Sequence, residues 1–230
     1  MRGDTTVKEI ALVFTGDSFA DGGEIIRDVL KKKQMRAGFF LTGNFYSNPS
    51  FEELVRSLHE DGHYLGAHSD KHLLYADWEE RDSLLVTRRE FKKDLRKNYR
   101  RMAKYGIKTD QATPFLPPYE WYNKAIAAWT RELGLYLVNY TPGTLSTADY
   151  TYPEMGVRYR STGSIYESIM KYESTDKAGL NGFILLIHIG TDPRRSDKFY
   201  SRLEELLTEL HHMGYRFVRI DELLEQSTSE

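Results

Sequence analysis

The sequence predicts an α/β fold with a parallel sheet, and three observations carry that prediction. Short continuous apolar runs recur along the chain, amphipathic helical patterns lie between them, and no Gly/Ser-rich linker or low-complexity tract interrupts the alternation. A crossover helix between two parallel strands covers the sheet, so its strands read as unbroken apolar runs rather than alternating ones. Seven strand candidates in 230 residues favour one barrel-like domain over residues 1–230 rather than two small domains.

Residues 10–14 (IALVF) form the first run and are followed by a helical pattern over 23–33. The second run, GFFL at 38–41, precedes a helix over 51–61, and the third, at 64–66, precedes a long charged helix over 82–105. Its charges from Arg81 to Arg101 read as a solvated face with i,i+4 pairing. Residues 113–116 are the fourth strand, 121–133 a helix, and LYLVNY at 135–140 the fifth strand. Residues 141–161 (TPGTLSTADYTYPEMGVRYRS) show no period, and a loop of that length after a strand is expected to be a binding loop at the carboxyl face of the sheet. A helix over 164–173, the strand FILLI at 183–187, a helix over 197–213 and the strand YRFVRI at 215–220 complete the order.

Composition narrows the chemistry. With no cysteine, thiolate metal sites, disulfides and cysteine nucleophiles are excluded, so a metal must sit on His, Asp or Glu. A formal charge of −2, from 32 basic and 34 acidic residues, lacks the electrostatic footprint of a nucleic-acid binder. No stretch reaches the ~20 apolar residues of a membrane span, and the start MRGDTTVKEI lacks the apolar core of a signal peptide. The aromatic content is high, with 16 Tyr, 11 Phe and 3 Trp.

The chemistry-bearing residues gather where strands end. His68 and His72, in GAHSDKH after the third strand, are four residues apart. On a helical turn that spacing puts both imidazoles on one face, toward one borderline cation such as zinc. FTGDSFADGG after the first strand offers Asp17 and Asp21 as a third ligand, and His188 ends the run FILLIHIG. Each has a plainer local reading as a cap, turn or core residue; their convergence at strand ends is the stronger signal.

The order FTGD, RAGFFLTGN, GHYLGAHSDKH, PFLPPYEW, LLIHIG and GYRFVRIDELL resembles the polysaccharide deacetylase family, also called the NodB-homology domain, from about Ile10 to Leu224. The resemblance implies a distorted (β/α) barrel with fewer than eight strands, about seven and parallel here. It also implies a divalent metal, zinc by preference, on one Asp and two His, and hydrolysis of an acetyl group from a poly- or oligosaccharide. By position, His68 and His72 match the metal-binding histidines, and His188 matches the histidine that protonates the leaving group. The backbone N–H of Tyr119 matches the oxyanion donor. A periplasmic or extracellular location is in keeping with the family, and neither the oligomeric state nor the compartment is fixed by the sequence.

Two motifs depart from the family pattern. Where it carries adjacent catalytic and metal-binding Asp residues, this chain has Thr15 and Gly16, so Asp17 is expected as the metal ligand and Asp21 as the base, with Glu120 a further candidate. Where the family has an Arg that pairs with the catalytic Asp, Leu116 stands instead. Loss of both partners leaves no unpaired buried charge. Tyr150, Tyr152 and Tyr159 in the long loop, with Tyr119, Trp121 and Tyr122, are candidates to stack on sugar faces, and Asp192, Arg194 and Arg195 to bind an anionic substituent or order His188. Two rival functions stay open: a glycan-binding pseudoenzyme that has lost its base, and a hydrolase of non-peptide C–N bonds in a small amide.

Overall fold

The computed structural model describes residues 1–226. Its centre is β1 (Glu9–Gly16), of which every residue is buried. β2 (Gly38–Leu41), β3 (Tyr64–Ala67), β4 (Pro114–Phe115) and β5 (Tyr136–Leu137) follow outward on one side, and β6 (Phe183–His188) lies on the other, all parallel. β7 (Arg216–Val218) pairs with Glu9–Ala11 of β1, while β2 pairs with Val13–Gly16. Because β6 occupies one edge of β1 along most of its length, β7 and β2 share the other edge, one at each end.

The sheet curls without closing strand to strand. Between β5 and β6 the gap is bridged by Thr141, whose N–H donates to the Ile184 carbonyl and whose hydroxyl accepts from the Ile184 N–H, both at 3.0 Å. The expected fifth strand over 135–140 is therefore only two residues of ladder plus this bridge. β4 is as short, because Pro117 and Pro118 follow it and have no N–H to extend a ladder.

The helices α1 (Gly23–Lys32), α3 (Glu52–Glu60), α4 (Arg88–Met102), α5 (Lys124–Arg131), α6 (Thr162–Thr175) and α7 (Leu203–His212) lie between the strands. Two short ones were not foreseen: α2 (Gly43–Ser47), capped by the Thr42 hydroxyl, and α8 (Ile220–Gln226). α4 starts six residues later than its charge pattern suggests, because Thr87 and Glu90 form a reciprocal capping box that fixes the first turn at Arg88. The side chains between sheet and helices form one apolar cluster in which Phe14 and Phe39 stack at 4.8 Å. No helix among the described residues is long and apolar enough to cross a membrane.

Candidate active site

The carboxyl ends of β1, β3 and β6 and the turn after β4 surround a cleft of about 670 Å³ whose walls include Asp17, His68, His72, Tyr119, Glu120 and His188. β1 delivers the first of these through Gly16. A Cβ there would meet side-chain atoms of Ile189, Leu41 and Phe45 at 2.6–3.0 Å, so the packing demands glycine. Asp17 then turns into the cleft edge. Its Oδ1 accepts from Thr42 Oγ1 at 2.7 Å and Asn44 Nδ2 at 3.0 Å, and its Oδ2 accepts from Ser18 Oγ at 2.7 Å. Burial alone would raise this carboxyl, but those hydrogen bonds and the nearby His72 hold it below the usual carboxylate value, so it is an anion.

His68 and His72 meet by a different geometry from the helical turn that their spacing suggests. Ser69 (φ 73°) and His72 (φ 53°) are left-handed, and the loop brings the two rings to 5.1 Å between centroids. α4 holds that loop from beneath. Asn98 Oδ1 accepts from the His68 N–H at 2.9 Å, and the buried Asp94 carboxylate accepts from Ser69 Oγ (2.7 Å), the N–H groups of Asp70 (3.0 Å) and Lys71 (3.1 Å), and Tyr75 Oη (3.1 Å). The face of α4 read as solvated is thus only one of its faces. His68 Nδ1–H donates to the Leu116 carbonyl at 2.8 Å, which fixes the tautomer and leaves Nε2 as a lone-pair donor. Burial pushes both imidazoles below their usual value, so both rings are neutral, the form that ligates metal.

His188 differs in having a carboxylate beside it. Asp149, buried in the loop after β5, accepts from the His188 N–H through Oδ2 at 2.8 Å and from Nδ1–H through Oδ1 at 2.6 Å. Burial would lower the His188 imidazole, yet the charge and hydrogen bond of Asp149, with Glu120 adding, raise it above its usual value. Nε2 is the ring nitrogen left for chemistry. Glu120 is shifted the other way: burial pushes its carboxyl up to about 7 against the opposing influence of His188, and Asp149 adds to the rise. Tyr119 and Glu120 are consecutive left-handed residues (φ 59° and 54°), a conformation that costs non-glycine residues on the order of 1–3 kcal/mol each.

Asp21 is placed elsewhere. It accepts from the Thr191 N–H and from Tyr200 Oη, both at 2.8 Å, pairs with Lys198 Nζ at 2.9 Å, and lines a neighbouring groove with Lys198 rather than the histidine cleft. Those contacts stitch the loop after β1 to the loop after β6, which is why the sequence expectation of a base at Asp21 does not match its position. Thr15 does line the cleft, but its buried hydroxyl has no hydrogen-bond partner among the described residues.

The long loop over 141–161 is more ordered than its lack of period suggests. Short 3₁₀ turns span Ser146–Tyr150 and Pro153–Arg158, and the fully buried Arg195 pins them by donating to the carbonyls of Thr151 and Arg160 and to Thr162 Oγ1. Arg195 is thus a structural pin, whereas Arg194 lines the cleft, pairing with Asp192 and stacking over Tyr152 at 4.0 Å. Of the expected aromatic residues, Tyr119, Tyr150 and Tyr152 line the cleft, joined by the unforeseen Trp78; Trp78, Tyr119 and Tyr150 are exposed. Trp121 backs the rim against Trp78 and Arg81, Tyr122 lies beside Arg81, and Tyr159 faces Arg195.

Among the described residues, no group of three or more His, Asp or Glu side chains is drawn together closely enough to hold a metal ion as it stands. The donor chemistry nonetheless fits a borderline divalent cation: one anionic carboxylate and two neutral imidazoles, one with its tautomer fixed, on the walls of one cleft.

The polysaccharide deacetylase family profile matches residues 2–138. The chain is 27% identical over 219 residues to the peptidoglycan-N-acetylglucosamine deacetylase PgdA of Listeria monocytogenes, which covers 95% of this chain but only 39% of that protein. It is 28% identical over 203 residues to a peptidoglycan-N-acetylglucosamine deacetylase of Bacillus cereus, covering 86% and 80% of the two chains. In three dimensions it resembles a CE4 family pseudoenzyme from Bacillus anthracis, with a TM-score of 0.74 at 18% identity over 98% of this chain and 68% of that one. That likeness shows the distorted (β/α) barrel, and the profile match shows the lineage: the chain belongs to the polysaccharide deacetylase family.

Proposed function

We propose that residues 1–230 act as one metal-dependent hydrolase domain that removes acetyl groups from a carbohydrate, an acetylated amino-sugar polymer such as peptidoglycan being the substrate class. The observation that carries this reading is the meeting, in one aromatic-rimmed cleft, of Asp17, His68 and His72 with the Asp149-supported His188. Two of the relatives are named for deacetylation of N-acetylglucosamine in peptidoglycan, which supports the substrate class and a wall-facing location.

Asp17, His68 and His72 would hold the cation, zinc by preference. When bound, it supplies Lewis-acid polarisation of the acetyl carbonyl. The protein's own groups do the rest. His188, oriented by Asp149, which also raises its imidazole above the usual value, would donate from Nε2 to the departing nitrogen. The N–H of Tyr119, a residue that lines the cleft, would donate to the oxyanion. Trp78, Tyr119 and Tyr150 offer ring faces to the C–H faces of a sugar, which suits a glycan chain better than a small amide.

Acetate release from N-acetylglucosamine oligomers, measured with and without zinc, tests the reading. Wild type is expected to release acetate only with metal, His68→Ala to lose zinc binding by calorimetry, and His188→Ala to bind zinc but fall about 10²–10⁴-fold in rate. A second reading, a glycan-binding domain without turnover, is favoured by Thr15 at the place of the family's base. Binding of the oligomer with no acetate release by zinc-loaded wild type would select it.

A further inference from the structure

Glu120 is the one carboxylate on the cleft wall whose oxygens have no hydrogen-bond or ion-pair partner among the described residues. Asp17 accepts three hydrogen bonds and Asp192 pairs with Arg194, whereas the Glu120 carboxylate makes neither hydrogen bond nor ion pair. Its backbone is held firmly. The Glu120 N–H donates to the Pro117 carbonyl at 3.0 Å, its carbonyl accepts from Asn139 Nδ2 at 2.8 Å, and φ is 54°. A left-handed backbone at two successive non-glycine residues persists only where the surroundings enforce it, and such positions cluster at working sites. Also lining the cleft, at the residue in register with His188 across β1 and β6, stands Thr15, whose hydroxyl has no acid–base capacity near neutral pH.

We propose that Glu120 is the proton acceptor for the attacking water, taking the role that a carboxylate at position 15 would play. This rests on the deacetylase reading. A water oxygen bonds to the acetyl carbonyl carbon while its proton passes to the Glu120 carboxylate and the carbonyl π pair moves onto oxygen. The adduct collapses, the C–N bond breaks with its electron pair on nitrogen, and that nitrogen takes the Nε2 proton of His188. Glu120 then gives up its proton and His188 regains one, so amide and water become acetate and amine. A carboxyl raised toward neutrality is a stronger base than an ordinary glutamate and is matched to proton transfer at that pH.

The test uses the full chain with zinc and a chitin oligomer, comparing wild type with Glu120→Gln and Glu120→Gly. In Glu120→Gln, kcat is expected to fall about 10²–10⁴-fold with KM and zinc affinity unchanged and the acid limb of the pH–rate profile lost. Glu120→Gly relieves the left-handed backbone, so it is expected to melt above wild type while being equally impaired, and added formate is expected to restore part of its rate. An active wild type with equally active Glu120→Gln and Glu120→Gly overturns the base role and leaves the deacetylase reading standing. Variants that lose zinc affinity along with rate overturn it too, since Glu120 would then act through the metal site. No acetate release by zinc-loaded wild type overturns both.

Discussion

Replacing Asp149 by Asn isolates what the carboxylate does for His188. In the wild type both Asp149 oxygens accept, one from the His188 N–H at 2.8 Å and one from Nδ1–H at 2.6 Å. An amide has one acceptor oxygen, so its NH₂ must face one of those two donors and a buried hydrogen bond is lost. Two bonds to a charged acceptor are each worth about 1.5–3 kcal/mol. Losing one and weakening the other predicts a loss of about 2–4 kcal/mol, or on the order of 5–15 °C in melting temperature for a chain of this size. The pH response follows in sign. Burial lowers the His188 imidazole and Asp149 more than offsets it, so Asp149→Asn lets the value fall. A general acid works only below its own pKa, so the alkaline limb of kcat/KM is expected to move to lower pH, with the neutral rate down about 10²-fold or more. Stability linked to His188 is present in full below its unfolded value and is lost as pH rises through the raised folded value; in the variant that increment is absent. The assays are a pH profile of acetate release and an NMR titration of the His188 ring. An unmoved alkaline limb in a folded variant would refute the argument.

Two further outcomes follow from the supports of the site. Asn98→Leu removes the acceptor of the His68 N–H and the donor to the Leu41 carbonyl (3.3 Å); zinc affinity measured by calorimetry is expected to drop about 10–100-fold. Trp78→Ala removes an exposed ring from the rim without touching the histidines, so KM for long oligomers is expected to rise with kcat and zinc affinity unchanged; equal KM would show that the ring does not meet substrate.

The parallel α/β architecture is legible in this sequence because its strands are buried on both faces and its helices are amphipathic, both of which are local patterns. The cleft is legible in part for the same reason: Asp17, His68 and His188 each lie at or next to the end of an apolar run. The residues that hold them are not, because each acts across a long stretch of chain. Asn98 reaches His68 over 30 positions and Asp149 reaches His188 over 39, and no local period reports either contact. Asp94 and Asn98 did leave a trace. They lie four apart among Phe91, Leu95 and Met102 on the buried stripe of α4, and a polar residue in an apolar stripe requires a partner. Asp21 misleads for the converse reason, since a carboxylate at a strand end is as useful for tying two loops together as for chemistry. The left-handed turns at Ser69 and His72 explain why a spacing read as helical brings the rings together without a helix.

The departures at Thr15 and Leu116 are coupled by the energetics of burial. Leu116 is fully buried, and its carbonyl, not its side chain, serves the site by holding His68 Nδ1. With Leu116 in place of an arginine, a carboxylate at the buried position 15 would be a buried charge without a guanidinium partner, which costs several kcal/mol, whereas Thr15 costs only one unpaired hydroxyl, about 1–3 kcal/mol. The chain therefore keeps its packing by giving up both charges together. On the proposed reading hydrolysis still requires a proton acceptor, and Glu120, whose carboxyl is raised by burial, would supply it from the same cleft. The backbone strain at Tyr119 and Glu120 falls on the same two residues that the chemistry would use as oxyanion donor and base. That coincidence is what distinguishes a relocated acid–base group from a glutamate that merely begins a helix, since α5 starts only at Lys124 and owes its cap to Asn123.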